Sequence, residues 1–116
     1  MRRGEIYFVR MPSAQGSCQQ GLRPVVIVSS EAGCRTNGVV MVCPITTKQK
    51  PLSCNVTINW SVNGAQSQVL CNQITTISQD TLQDYVGSVS TDEQRRISIA
   101  MLISLGIKTN YDEVII

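Results

Sequence analysis

The chain has 116 residues, a formal net charge of +2 and five aromatic side chains (Phe8, Trp60 and three tyrosines). That length supports one domain, residues 1–116, with a modest core that Val, Ile and Leu must build. There is no histidine, which removes His-based ribonuclease chemistry, Ser-His triads and Cys-His pairs together. Charge is unevenly placed: residues 1–50 carry seven Lys/Arg against Glu5 and Glu31, a balance of +5, and residues 51–116 carry three against six acids, a balance of −3. The basic half suits an anionic ligand. The five cysteines (Cys18, Cys34, Cys43, Cys54, Cys71) show no C-x-x-C spacing, so no metal site and no metal cofactor are expected. Cys43 and Cys71 read as small buried hydrophobes in a reducing cytosol. No signal peptide is expected, and no apolar run reaches the roughly 20 residues of a membrane span.

Glu5 to Arg10 reads as a first strand, with Ile6 and Phe8 alternating onto one face. Met11 to Leu22 is a long loop, a kind of segment that often carries function. Gly16 and Gly21 bracket its polar end, which runs straight into Arg23-Pro24-Val25-Val26-Ile27-Val28. Pro24 fixes its own φ and pushes Arg23 toward an extended conformation. Four consecutive β-branched residues leave no polar face, the pattern of a strand buried on both sides. Arg23 thus stands at the mouth of a rigid strand, where two readings are open: a phosphate ligand, or a solvated strand-edge arginine.

Asn37-Gly38 marks a turn. Val39 to Cys43 is a second buried strand, which Pro44 is expected to end, leaving Ile45-Thr46-Thr47 at its rim. Lys48 to Ser53 is a basic loop. Asn55 to Trp60 alternates in the strand manner, Asn63-Gly64 marks a turn, and Gln68 to Cys71 returns as the partner strand. Ile74 to Ile77 and Tyr85 to Val89 complete a set of about six short strands. Ser90-Thr91-Asp92-Glu93 is a capping box opening a helix, and Gly106 is a natural terminator. Ile97 to Leu105 is apolar almost all round, so the helix should be covered on more than one side. Many short strands plus one late helix predict a mainly β protein with a C-terminal α-helix, built as a small, partly open barrel.

The stretch Gly16 to Ser30, GSCQQGLRPVVIVSS, resembles the signature of the MazF/PemK toxin family, small bacterial endoribonucleases of toxin–antitoxin pairs. Arg3-Gly4-Glu5-Ile6-Tyr7 is similar to the family's opening strand, Pro44-Ile45-Thr46-Thr47 to its second active-site segment, and Asn72 to Ile77 to its later strand. The likeness covers nearly the whole chain in the right order. It implies an SH3-like barrel of the MazF/CcdB type, a cytoplasmic homodimer, single-stranded RNA as substrate and a cognate antitoxin as partner. Operator DNA would be met only through the antitoxin complex, and no membrane is involved. By position in the motifs, Arg23 and Thr46 are the catalytic candidates, and Ser17, Gln19, Thr47, Lys48 and Gln73 the RNA-binding ones. Trp60 and Tyr7 read as core or interface residues. Two positions depart from many relatives: Cys18 replaces an acid, and Thr75 replaces a basic residue, which bears on the RNA sequence recognised.

An arginine, a threonine, amides and hydroxyls suffice for one reaction class. RNA carries its own nucleophile, the ribose 2′-OH, so an enzyme need only align it and stabilise charge on the phosphoryl oxygens. Taken alone, Thr46 also fits an ordinary strand-end threonine, and Lys48 a solvated loop lysine. Two rivals remain beside the nuclease: a CcdB-like toxin that binds DNA gyrase and cleaves nothing, and a catalytically inactive family member kept for binding. The Gly21-Leu22-Arg23-Pro24 and Pro44-Ile45-Thr46-Thr47 segments favour the nuclease.

Overall fold

The computed structural model describes residues 1–10, 21–31, 38–49, 54–62 and 64–114. The β-branched runs become strands β1 (Glu5–Arg10), β2 (Leu22–Ile27), β3 (Val39–Thr46), β4 (Asn55–Val62), β5 (Ala65–Leu70), β6 (Thr75–Ser78) and β7 (Leu82–Ser88). Every pairing is antiparallel. The strand order is β4-β5-β3-β2-β1-β7, with β6 added beside β3. Helix α1 (Thr91–Ser104) follows β7, and short 3-10 turns occupy Gln79–Thr81 and Tyr111–Glu113. The architecture is mainly β, a curled antiparallel half-barrel with a C-terminal helix.

Successive residues of the central strands point alternately into two aliphatic clusters. Ile6, Val26, Val28, Cys43, Ile45, Val56, Ile58, Val69 and Cys71 pack with Val89, Ile97 and Ala100 on the helix side. Val9, Val25, Ile27, Val40 and Val42 form the other cluster. This is why β2 tolerates no polar residue after Pro24: each of its two faces is a core, and each buried valine or isoleucine contributes about 1.5–3 kcal/mol. The alternation expected for β1 is only half of its pattern. Ile6 and Phe8 do share a face, but Val9 on the opposite face is also fully buried, 0% exposed.

Pro44 does not end its strand. β3 runs through it to Thr46, with Val25 paired to Pro44. Met41 turns its backbone toward β2, its carbonyl accepting from Val28 N–H at 2.9 Å. By alternation the Pro44 nitrogen points to the other edge. There β6 pairs up to Val42 and β5 takes over at Ile45, so the missing N–H falls where the partner changes.

β5 begins earlier than its apolar run because Gly64, at φ +76°, lets Val62 pair straight to Ala65. β7 also begins earlier, at Leu82. It pairs only with β1 among the described residues, and its exposed Gln83 and Asp84 are what an edge strand allows.

The two outermost strands of the sheet, β4 and β7, meet through one side chain. Trp60 on β4 donates from its indole N–H to the Val86 carbonyl on β7 at 3.0 Å. It lies edge-on to Phe8, ring centroids 6.5 Å apart. Gly87, at φ +152°, makes room: a Cβ there would stand 2.7 Å from Trp60 Cδ1. Curling is thus fastened by an indole instead of a backbone ladder.

The helix starts as its capping box predicts. Ser90 Oγ accepts from Glu93 N–H at 3.1 Å, and Glu93 Oε1 accepts from Ser90 N–H at 2.8 Å. The other oxygen, Oε2, accepts from Asn59 N–H at 2.6 Å. The helix ends in a Schellman motif, Ile107 N–H donating to Leu102 O and Gly106 N–H to Ile103 O, each at 3.0 Å, with Gly106 at φ +72°. Ile97 and Ala100 are buried, whereas Ile103 and Leu105 are 45% and 61% exposed. One side of the apolar helix is therefore open in the protomer.

Candidate active site

Arg23 lies near the start of β2, exposed, with Val9 of β1 as its pairing partner. Pro24 follows, paired to Phe8, and behind it the strand dives into both cores, so the guanidinium sits on a rigid base. Thr46 is the last residue of β3 and is half-buried. Its Oγ1 accepts from Lys48 N–H at 3.1 Å, a side-chain-to-backbone turn that fixes the hydroxyl.

The β2–β3 register relates these two residues. The ladder pairs Val26 with Cys43 and Val25 with Pro44; carried two residues further, it sets Arg23 across from Thr46. By alternation both then share the face of Val25, Val40 and Val42. The β2–β3 ladder itself ends at Val25 and Pro44, while on its opposite edge β3 pairs with β5 from Ile45. Arg23 and Thr46 thus lie just beyond the last paired residues of β2 and β3, at the same end of that ladder.

Gln73 comes to the same end. The β3–β6 register pairs Val42 with Thr75, and two residues on it brings Gln73 opposite Pro44. Its backbone is held at both groups, the N–H donating to Leu70 O and the carbonyl accepting from Thr75 Oγ1, each at 3.1 Å. Its side chain is exposed. Thr75 spends its hydroxyl on that carbonyl. Thr47 and Lys48 are exposed just beyond Thr46, and Gln49 ties the same segment to β5 by donating to Gln66 O at 2.9 Å. Ser17 and Gln19, like Cys18, lie outside the described residues, on the segment that joins the paired ends Arg10 and Leu22.

Sequence reasoning passed over Gln68. It pairs with Thr46 across β3 and β5 and is 9% exposed, a buried amide beside the candidate hydroxyl. Its only mark in the sequence is being the one amide at the head of Gln68-Val69-Leu70-Cys71.

The two acids of the basic half are engaged at the N-terminus: Glu5 Oε1 accepts from Tyr7 OH at 3.0 Å and Arg2 N–H at 2.6 Å, and Glu31 stands 3.9 Å from Arg2 Nε. Among the described residues no carboxylate pairs with Arg23. Nor, among them, do three His, Cys, Asp or Glu side chains stand in an arrangement that could hold a metal ion. An anion with two oxygens would find a free planar fork and a hydroxyl on one face of the sheet.

A curled half-barrel of this kind, bearing one late helix, is the architecture of a class of small toxins. The MazE–MazF structure of Deinococcus radiodurans has the same fold, with a TM-score of 0.77 at 18% identity over 93% of this chain and 97% of that one. An endoribonuclease from a Mycobacterial species, solved in complex with its cognate antitoxin, superposes with a TM-score of 0.78 at 25% identity, covering 95% of this chain and 99% of that one. In sequence, the Endoribonuclease MazF of Staphylococcus saprophyticus is 32% identical over 113 residues, 94% of each chain. The profile of the PemK-like, MazF-like toxins of type II toxin–antitoxin systems matches residues 2–105, and the chain belongs to that family.

Proposed function

We propose that this family member is a sequence-specific endoribonuclease, the toxin of a toxin–antitoxin pair, which cuts single-stranded RNA in the cytoplasm without a metal ion. The observation that supports the reading is Arg23, exposed and unpaired by any described carboxylate, at the end of the β2–β3 ladder just past which Thr46 also lies. The substrate's 2′-OH attacks the adjacent phosphorus as the bond to the 5′-oxygen breaks. The fragments carry a 2′,3′-cyclic phosphate and a 5′-OH. Arg23 grips two phosphoryl oxygens and stabilises the charge that grows on them. A guanidinium offers five N–H donors and no acceptor, so Arg23 acts as a cation and as a donor toward the leaving oxygen. Thr46, its hydroxyl fixed by Lys48 N–H, passes on the 2′-OH proton. Ser17, Gln19, Thr47, Lys48 and Gln73 read unpaired bases and backbone, the usual mode of sequence-specific RNA recognition.

The protein acts as a homodimer, which the exposed Ile103 and Leu105 on α1 support. Its cognate antitoxin silences it, and operator DNA is reached only through that complex. Mapping the ends of a digested transcript pool in excess EDTA tests the chemistry. Cyclic phosphate and 5′-OH ends are expected, and a single 2′-deoxyribose 5′ to the cut should abolish cleavage while binding persists. A 5′-phosphate on the product, or cleavage of the deoxy substrate, would show that an activated water is the nucleophile and that Arg23 and Thr46 have other roles.

A further inference from the structure

Three cysteines that are far apart in sequence form a row across three neighbouring strands. The β4–β5 register pairs Asn55 with Leu70, so the next pair outward is Cys54 with Cys71, and Cys71 N–H donates to Cys54 O at 3.2 Å. The β3–β5 register pairs Ile45 with Val69, and two residues further it sets Cys43 on the other side of Cys71. All three are free thiols. They differ in access: Cys43 and Cys71 are 0% exposed, whereas Cys54 is half-buried at the start of the hairpin. Neither Cys54 nor Cys71 enters the proposed RNA chemistry.

We propose that Cys54 and Cys71 are an oxidative modification site, closed to a cross-strand disulfide by a low-molecular-weight disulfide. Directly opposed residues of a hydrogen-bonded antiparallel pair have Cα atoms about 5.5 Å apart, inside the roughly 4.4–6.8 Å that a disulfide spans. By alternation both residues fall on the face of Val56 and Val69; the Cys71 thiol donates to Val69 O and the Cys54 thiol to Asn55 Oδ1, each at 3.7 Å, contacts that rotation about χ1 would exchange for the sulfur–sulfur bond. Cys54 thiolate attacks the reagent disulfide, forming a mixed disulfide and releasing one thiolate. Cys71 thiolate then attacks the Cys54 sulfur, forming the intramolecular bond and releasing the second thiolate; the two cysteine protons pass to solvent. Burial pushes the Cys71 thiol up to about 12, with Cys43 and Cys54 as its titratable neighbours, so closure at neutral pH is slow and answers sustained oxidant. Cys43, buried deeper in the row, is a spectator.

The bond would tie together the segments that flank the candidate site, since Cys54 follows the loop that starts at Thr47 and Cys71 leads into Gln73. The disulfide itself is independent of the RNA-cleavage reading, because its assay reads sulfur atoms only. The full-length protein is incubated with oxidised glutathione, free thiols are capped with iodoacetamide, and unreduced peptides are mapped by mass spectrometry. A Cys54–Cys71 linked peptide is expected, unchanged in Cys43→Val. Cys71→Val should instead hold glutathione on Cys54. Glutathione remaining on Cys54 of the unaltered protein beside a capped Cys71, or Cys54 linked to Cys18 or Cys34, would overturn the assignment. The unaltered protein alone decides the matter even where a core variant fails to fold.

Discussion

Trp60 stands over Gly87, and through that contact the first and last strands of the sheet order touch. The indole needs the glycine twice: for the space a Cβ would take, 2.7 Å from Cδ1, and for the φ of +152°. Gly87→Ala should therefore destabilise the fold by about 2–3 kcal/mol, combining overpacking with backbone strain. Trp60→Phe keeps much of the apolar area but drops the bond to Val86 O, at about 1 kcal/mol. Urea unfolding measures both. An alanine variant as stable as the parent would mean that the half-barrel is not fastened here.

Glu93 is the second clasp. Both carboxylate oxygens accept from backbone N–H groups, one on its own N-cap and one on β4, and the residue is 4% exposed. Glu93→Gln turns one acceptor into a donor facing a donor and should cost about 1–2 kcal/mol; Glu93→Ala strands both N–H groups and should cost more. Asp92→Ala is the control. It removes only the exposed pair with Arg96, 3.0 Å apart, worth at most about 0.5 kcal/mol. Equal melting temperatures for the Gln variant and the parent would contradict the clasp.

Much of this fold is written locally. The Val25–Val28 and Val39–Cys43 runs announce strands with two buried faces, Ser90 and Glu93 announce the helix, and Gly64 and Gly106 sit at left-handed φ where a turn and a helix stop were expected. What local pattern cannot hold is which edge a residue meets. Pro44 reads as a strand end because its nitrogen cannot donate, and only the handover from β6 to β5 makes that harmless. Trp60 reads as core, and its reach to β7 depends on the curl of the whole sheet. In the site, resemblance to a family named Arg23 and Thr46, but their falling on one face at the end of the β2–β3 ladder is a matter of register, which a one-residue slip would destroy. Gln68 escaped notice because its meaning lies in its partner, Thr46.

Arg23→Ala should lower the rate of RNA cleavage by at least about 100-fold, the scale of losing a charge-stabilising donor, with the melting temperature unchanged because the side chain is exposed and buries nothing. Arg23→Lys should also be poor, since a point charge does not reproduce a planar two-pronged contact. Single-turnover cleavage of an end-labelled RNA measures both variants. Near-normal turnover in the lysine variant would exclude the bidentate role.

Sedimentation at micromolar concentration should show a species of twice the 12.7 kDa protomer, since Ile103 and Leu105 leave apolar area exposed at the C-terminal end of α1. A charge placed there, Ile103→Glu, should shift the balance toward protomers. A protomer-sized boundary for the unaltered chain would remove the dimer, and with it any substrate groove shared between subunits.

Strand β1 lies between β2 and β7, so during synthesis it receives its second neighbour only when β7, some 70 residues later, has been made. Until Leu82–Ser88 emerges, the nascent chain holds β1 with an unpaired edge beside the strand that carries Arg23, and neither Trp60 nor Val9 has its full cover. Long-range closure of this kind is slow and leaves a sticky edge while it waits. A chain cut short before Leu82 should be seized by chaperones or proteases before it can assemble the arginine's rigid base. Synthesis of this toxin is then close to all-or-none: incomplete products are waste, not partly active fragments.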